Sequence, residues 1–185
     1  DDKYDPAAAK AALEAAGVKD LKMKVWAMPV ARPYMLDARR AAEVIQADLA
    51  AIGVTAEVVT YEWAEYLERS KAKDRDGAVI LGWTGDNGDP DNFLHTLLGC
   101  AAVGGNNRAQ WCNEEFDKLV NAAKTTTDQA ERAKLYEEAQ VVFKREAPWV
   151  TLDHSVVVMP MSKKVSGYVM SPLGHHSFSG VDIAE

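Results

Sequence analysis

From residue 21 the chain alternates in character. Leu21, Met23, Val25 and Ala27 are apolar, and Lys22 and Lys24 between them are charged. Period two predicts a strand with one buried face, and Pro29 and Pro33 end it. The period then changes. Ala38, Ala41, Ala42, Ile45, Leu49 and Ile52 recur at helical spacing from about Leu36, with Gly53 as the stop. Val54 to Thr60 returns to a strand pattern, Glu62 to about Lys71 predicts a second helix, and Ala78 to Trp83 a third strand. Residues 21–84 thus read as β-α-β-α-β, an α/β arrangement with crossover helices and parallel strands. Ligands of such sheets bind outside the carboxyl ends of the strands, where strand order switches. A strand order of 2-1-3 would make the first and third strands neighbours. The segments leaving them, Met28–Tyr34 and the stretch from Gly82, would then flank the switch point.

The flanking regions are mostly helical. Asp5 caps an N-terminal helix, with Pro6 at its first position and Gly17 as its stop. Phe93 to Leu98 predicts a short helix. Asn113 to Lys124 predicts another, with Phe116, Leu119 and Val120 inward. Asp128 caps a longer one, with Ala133, Leu135, Ala139, Val142 and Phe143 inward and Pro148 as terminator. Val150–Leu152 and Val156–Val158 are strand-like. From Lys163 the chain is rich in Gly, Ser and His and has no sustained periodicity.

Composition narrows the functional classes. The 185 residues allow one domain with a sizeable core, or a domain with an appendage. A net charge of −7 without a basic stripe speaks against nucleic acid. No apolar run approaches the roughly 20 residues that span a bilayer. The chain opens on Asp1-Asp2-Lys3, which leads us to expect a processed or truncated product.

Candidate chemistry concentrates in Gly82-Trp83-Thr84-Gly85-Asp86-Asn87-Gly88-Asp89-Pro90-Asp91-Asn92-Phe93, directly after the apolar run Ala78–Leu81. Three carboxylates fall within six residues, 86–91. Counted from Asp86, the sixth and twelfth positions of a calcium loop would need Gly and Glu; they hold Asp91 and Leu97. A metal-dependent hydrolase using Asp86, Asp89 and Asp91 stays open as an alternative, although no Gly-x-Ser-x-Gly or His-Glu-x-x-His motif accompanies them. The other reading is charge recognition. A ligand carrying an amine and a carboxylate needs a fixed counter-charge at each end when enclosed. Arg suits the carboxylate because its planar fork donates two parallel hydrogen bonds, and Asp suits the ammonium. Arg32 and Asp86 lie on the two segments that leave the first and third strands, and an extended dipeptide spans about 7 Å. The competing reading pairs Arg32 with a surface acid and makes Asp86 a turn cap. Cys100 and Cys112 are either a disulfide, favouring an oxidising compartment, or unrelated buried thiols.

Further residues support a resemblance. Trp26–Val30, Arg32-Pro33-Tyr34, Ala38-Arg39-Arg40, Ile45–Asp48, Val59–Trp63, Gly82–Phe93, Trp111-Cys112, Ala139–Val142 and Gly167–Val169 together resemble periplasmic dipeptide-binding proteins, the family-5 solute receptors of peptide ABC importers. The resemblance implies a type II periplasmic-binding-protein lobe, a central β-α-β-α-β sheet flanked by helices, and a clamshell that closes on a dipeptide without catalysis or cofactor. It implies that Arg32 holds the peptide carboxylate with Tyr34 beside it. Asp86 would hold the amine, and Gly82, Trp83 and Thr84 would contact the peptide backbone. It makes Cys100–Cys112 a disulfide and leaves Asp89 and Asp91 as turn and cap residues. It implies that the chain corresponds to the C-terminal portion of the family. Residues 1–159 would form the ligand-binding lobe, and residues 160–185 would return to an N-terminal lobe not contained in it. A periplasmic location and a membrane permease partner follow from the same resemblance. Within the binding class, receptors for oligopeptides or haem remain alternatives.

Overall fold

Side-chain caps set where the helices begin. The Asp5 carboxylate accepts from the Ala8 amide at 2.9 Å and opens α1 (Pro6–Ala15). Asp37 does the same for Arg40 at the head of α2 (Ala38–Ala51), and Glu62 accepts from Ala64 and Glu65 at the head of α3 (Trp63–Ser70). Each satisfies amides that the first turn of a helix leaves unpaired. The helix expected from Leu36 therefore starts at Ala38, because the cap is Asp37. These are features of a computed structural model that describes residues 3–185. The chain divides into two units, one ending at Gly82 and the other beginning at Trp83.

In the first unit, β1 (Lys22–Trp26) lies between β2 (Thr55–Val59) and β3 (Ala78–Val79), and all pairings are parallel. The order is the expected 2-1-3, so β1 and β3 are neighbours. The third strand is much shorter than the stretch to Trp83 that the sequence predicts. It pairs only Val25 with Ala78 and Trp26 with Val79, and the Ile80 amide adds one last bond to the Trp26 carbonyl at 3.0 Å. Beyond Trp26, β1 itself ends, and an edge strand without a partner cannot extend its ladder. The core gathers Val25, Trp26, Ala27, Met28, Ala38, Ala42 and Tyr66. Trp26 meets Tyr61 and Tyr66 at ring distances of 4.8 and 6.0 Å, and Trp63 stacks on Tyr66 at 5.8 Å.

The second unit is built around α4 (Asp91–Leu98), α5 (Glu114–Thr125) and α6 (Gln129–Glu146). Leu97, Leu98, Phe116, Val120, Ala139 and Val142 form its core. The inward face of α6 differs from expectation: Ala133 is exposed, whereas Tyr136 is buried and Arg132 half-buried. Arg132 and Tyr136 lie four residues apart on one helical face, and the Arg132 guanidinium sits 5.1 Å over the Tyr136 ring. A hydrophobic count misses that face because half of it is a cation with its charge paired. Ala147, left-handed at φ 48°, closes α6.

After a 3-10 turn at Cys100–Ala102, a disulfide joins Cys100 to Cys112, as the resemblance implies. Its loop encloses Asn107, which is fully buried and donates to the Gly99 and Trp111 carbonyls at 3.3 and 2.7 Å. The strand-like stretches Val150–Leu152 and Val156–Val158 are not strands. Val150, Val156 and Val158 are 84%, 86% and 77% exposed, and no other strand pairs with either stretch among the described residues. The tail from Lys163, which lacks periodicity, nonetheless makes a small antiparallel ladder between β4 (Val165–Ser166) and β5 (Asp182–Ile183).

Candidate functional site

The carboxyl ends of β1 and β3 are tied together by one side chain. The buried Tyr66 hydroxyl lies 2.9 Å from the Trp26 carbonyl and 2.7 Å from the Ile80 carbonyl. Its single proton is shared between two acceptors, and burial pushes its ionisation well above the ordinary tyrosine value. The segments that leave these strand ends therefore start from fixed points. After β1, Arg32 and Met35 exchange both backbone hydrogen bonds, at 2.9 and 3.0 Å, which pinches Arg32-Pro33-Tyr34-Met35 into a tight turn. The half-buried Arg32 guanidinium lies 4.6 Å over the Trp63 ring. An indole face attracts a cation but leaves its in-plane N–H donors unspent. Among the described residues, Arg32 forms no ion pair.

Tyr34 and Gly82 come together in the same unit. A Cβ at Gly82 would run into the Tyr34 ring, so the close approach requires glycine. Burial raises the Tyr34 hydroxyl's pKa, against the opposing pull of Arg32 and of a hydrogen bond from the Gly82 backbone. Arg32, Tyr34 and Gly82 are thus one cluster at the carboxyl ends of β1 and β3. Two shallow depressions elsewhere in this unit, about 530 and 360 Å3 in volume, are lined by Val54 with Gln46 and Thr55, and by Val54 with Leu13 and Leu21. They open at the amino ends of the strands and gather none of the expected ligand-contacting residues.

The acidic loop belongs to the second unit, and its three carboxylates have three different situations. Asp89 is held by a two-pronged contact with Arg132, at 2.8 Å on each oxygen. Its Oδ1 also accepts from the Asp91 amide at 2.9 Å. The Arg132 fork holds the Asp89 carboxyl below the usual range and raises the guanidinium in turn. Arg132 is itself fastened to the Ala123 carbonyl and the Tyr136 hydroxyl, both at 2.9 Å. Asp91 is the first residue of α4, where negative charge suits the helix dipole. Its side chain is not the cap expected of it, because Pro90 holds the cap position and the Asp91 amide is satisfied by Asp89. Asp86 is exposed and forms no ion pair among the described residues.

Asn92 organises the start of this loop, and sequence reasoning missed it. Its Oδ1 accepts from the Trp83 indole N–H at 2.7 Å and from the Asp86 amide at 3.0 Å. Its Nδ2 donates to Asp86 Oδ2 at 3.1 Å. The Trp83 indole N–H is therefore already used, and its ring packs on the second core. Thr84 is exposed. Gly88, with φ 73°, makes the backward turn that returns the loop to α4. A sequence signal for Asn92 existed only as spacing: an amide six residues after Asp86, at the head of a helix.

Both Asp89 oxygens face a guanidinium, and among the described residues no group of three or more His, Cys, Asp or Glu side chains could hold a metal ion. Of the loop's other carboxylates, Asp86 and Asp91 form no ion pair among the described residues; Asp91 Oδ1 is buried without a hydrogen-bond partner, whereas Asp86 is exposed. The cluster in the first unit holds one cation, Arg32, seated on the Trp63 ring.

Known proteins resemble this chain. A family model described as bacterial extracellular solute-binding proteins, family 5 middle, matches residues 1–105. A dipeptide-binding protein of Escherichia coli K12 is 51% identical over 182 residues, covering 97% of this chain and 34% of that protein. A heme-binding protein A of Haemophilus influenzae is 48% identical over 181 residues, covering 97% of this chain and 33% of that protein. The crystal structure of a dipeptide-binding protein from a Pseudoalteromonas species in complex with Met-Leu superposes with a TM-score of 0.86 at 39% identity, over 98% of this chain and 36% of that one. The chain spans about a third of the length of the curated relatives it matches.

Proposed function

The chain belongs to the family-5 bacterial extracellular solute-binding proteins, and from that premise we propose that it is the dipeptide-gripping lobe of a peptide-import receptor. Arg32 receives the peptide carboxylate, with Tyr34 and Gly82 beside it. Asp86 receives the amine, and the backbone from Gly82 to Thr84 meets the peptide chain. Binding is the whole activity, without a chemical step. The working location is the periplasm, where the Cys100–Cys112 disulfide would persist, and the receptor delivers its cargo to a membrane permease. Residues 1–159 form this lobe, and residues 160–185 run to a second lobe outside this chain.

The observation that carries this reading is that Arg32 and Asp86 are both held in place by neutral neighbours. Trp63 supports the guanidinium and Asn92 supports the carboxylate. A charge kept for a structural role is normally paired, as Asp89 and Arg132 are. Charges kept for a ligand need support that does not neutralise them. A zwitterion of dipeptide length uses both, and a solute with neither terminus does not. Haem, named for one relative, carries carboxylates but no ammonium, so it leaves Asp86 without a partner.

Titration calorimetry of the full-length receptor with a dipeptide tests the proposal. Asp86→Ala is expected to cost several kcal/mol, on the order of the penalty for stranding a buried ammonium. An affinity unchanged within about tenfold, that is within about 1.4 kcal/mol, overturns it. Haem binding that survives Asp86→Ala would reassign the receptor to the other ligand class.

A further inference from the structure

The Asp86 carboxylate sits on an exposed loop, where a free side chain would sample several rotamers and lose that freedom on binding. It is not free. One amide, Asn92, contacts it twice, at its backbone N–H and at Oδ2, and holds the Trp83 indole with the same oxygen. We infer that Asn92 is the positioning residue of the amine anchor: it fixes the Asp86 side chain before ligand arrives and spends no charge in doing so. The inference rests on reading Asp86 as the ammonium partner.

Three contacts determine the amide's orientation. Two N–H groups converge on Oδ1, and a carboxylate oxygen faces Nδ2. Flipping the amide would set its donors against two donors and its oxygen against a carboxylate. Few side chains meet all three demands. Ser has too little reach. Asp could accept from both N–H groups, but it has no proton for Asp86 and would set a second negative charge beside it. A basic side chain could donate to Asp86, but it would neutralise the carboxylate the ligand needs. Asn supplies two acceptor lone pairs and a donor on one short stem. The contacts occupy Oδ2, and among the described residues Oδ1 of Asp86 has no hydrogen-bond partner. A positioned carboxylate with one open oxygen is what an ammonium requires.

Asn92 also draws on a rigid support. It lies in the first turn of α4, which carries Leu97 and Leu98 into the second core. The far side of the loop is held by the Asp89–Arg132 fork to α6. The anchor is therefore tied at both ends of its loop to helices, a requirement for holding a binding group within a fraction of an ångström.

The test is a double-variant cycle in the full-length receptor, using Asn92→Ala, Asp86→Ala and the two together, read by calorimetry with a dipeptide, with melting temperatures as the fold control. Asn92→Ala alone is expected to weaken binding by about tenfold, the scale of a lost hydrogen bond to a charged group. In the Asp86→Ala background the same change is expected to matter by no more than about twofold, the tolerance for independent sites. Losses that simply add would show Asn92 to be structural only and would overturn the inference. If Asp86→Ala itself has no effect, the anchor reading fails first and the positioning role falls with it.

Asn92→Asp guards against a misfolded Ala variant, because it keeps acceptors for Trp83 and for the Asp86 amide and removes the donor to Asp86 Oδ2. The same cycle run with Asn92→Asp is expected to show coupling to Asp86→Ala well beyond the roughly twofold tolerance for independent sites. Effects that add within that tolerance overturn the inference.

Discussion

Tyr66 shows how much one polar atom can carry. Its ring is fully buried among Trp26 and Trp63, and its hydroxyl bridges the Trp26 carbonyl at the end of β1 and the Ile80 carbonyl just after β3. Removing the hydroxyl takes its donor from the Ile80 carbonyl, whereas the Trp26 carbonyl keeps the Ile80 amide. Tyr66→Phe is expected to cost roughly 1–3 kcal/mol, the penalty for stranding a buried acceptor. Denaturant unfolding measures it, and a loss below about 0.5 kcal/mol, the size of ordinary surface changes, would show that the bridge is not needed. The same substitution should loosen the turn at Arg32, because that turn leaves the strand end the hydroxyl holds. Arg32 was legible in the sequence as a cation on the segment that leaves the first strand. Its partner Trp63 was not, because a tryptophan on a helix reads as core until the ring is seen under a guanidinium.

At the scale of elements, the acidic loop is fastened to α6 by the Asp89–Arg132 fork. Asp89 has its pKa lowered, chiefly by its hydrogen bonds to Arg132. A carboxyl held below its unfolded value, about 3.9 for Asp, stabilises the folded state above that pH. The contribution is lost as pH falls through the lower, folded value. Asp89→Asn should therefore melt lower than the parent at pH 7, and the gap should narrow as pH drops below about 4. Melting curves across pH 2–7 decide it, and a gap that stays constant into acid would show that the ionised pair is not the cause. The sequence predicted three candidate ligand carboxylates here. Only the fold shows that Arg132, forty-three positions away in sequence, has already claimed one of them. The helices themselves were readable because Asp5, Asp37, Asn113 and Asp128 cap their own next turns, a local interaction that needs nothing distant.

For the whole molecule, the notable feature is apolar surface without a cover. Val150, Leu152, Val156, Val157, Val158 and Met161 are all exposed, in a run that forms no strand. Scattered apolar residues on a surface are ordinary, but a run of this kind marks a surface that another piece of protein covers. It fits the proposal that the chain works with a second lobe. A dipeptide on this chain alone would remain solvated on one side, so its charge contacts would be screened and little area buried. The isolated chain is expected to bind dipeptide weakly or undetectably by calorimetry. Submicromolar binding by this chain alone would contradict the two-lobe reading.

What the sequence determined by itself was everything carried by period and by local chemistry: the alternation of β1, the capped helices, the parallel β-α-β-α-β order, and a cation and a carboxylate on the segments that leave the first and third strands. These are interactions between residues a few positions apart, and a linear pattern records them. Only the tertiary structure decided which polar groups were already engaged. The third strand stopped at two residues because its neighbour ran out. Ala133 gave way to Arg132 and Tyr136 on α6, Asp89 was paired, and Asp86 was held by Asn92. Each outcome depends on a group brought close through space. A hydrogen bond acts over about 3 Å, and residue spacing in sequence does not encode such distances once the chain has turned.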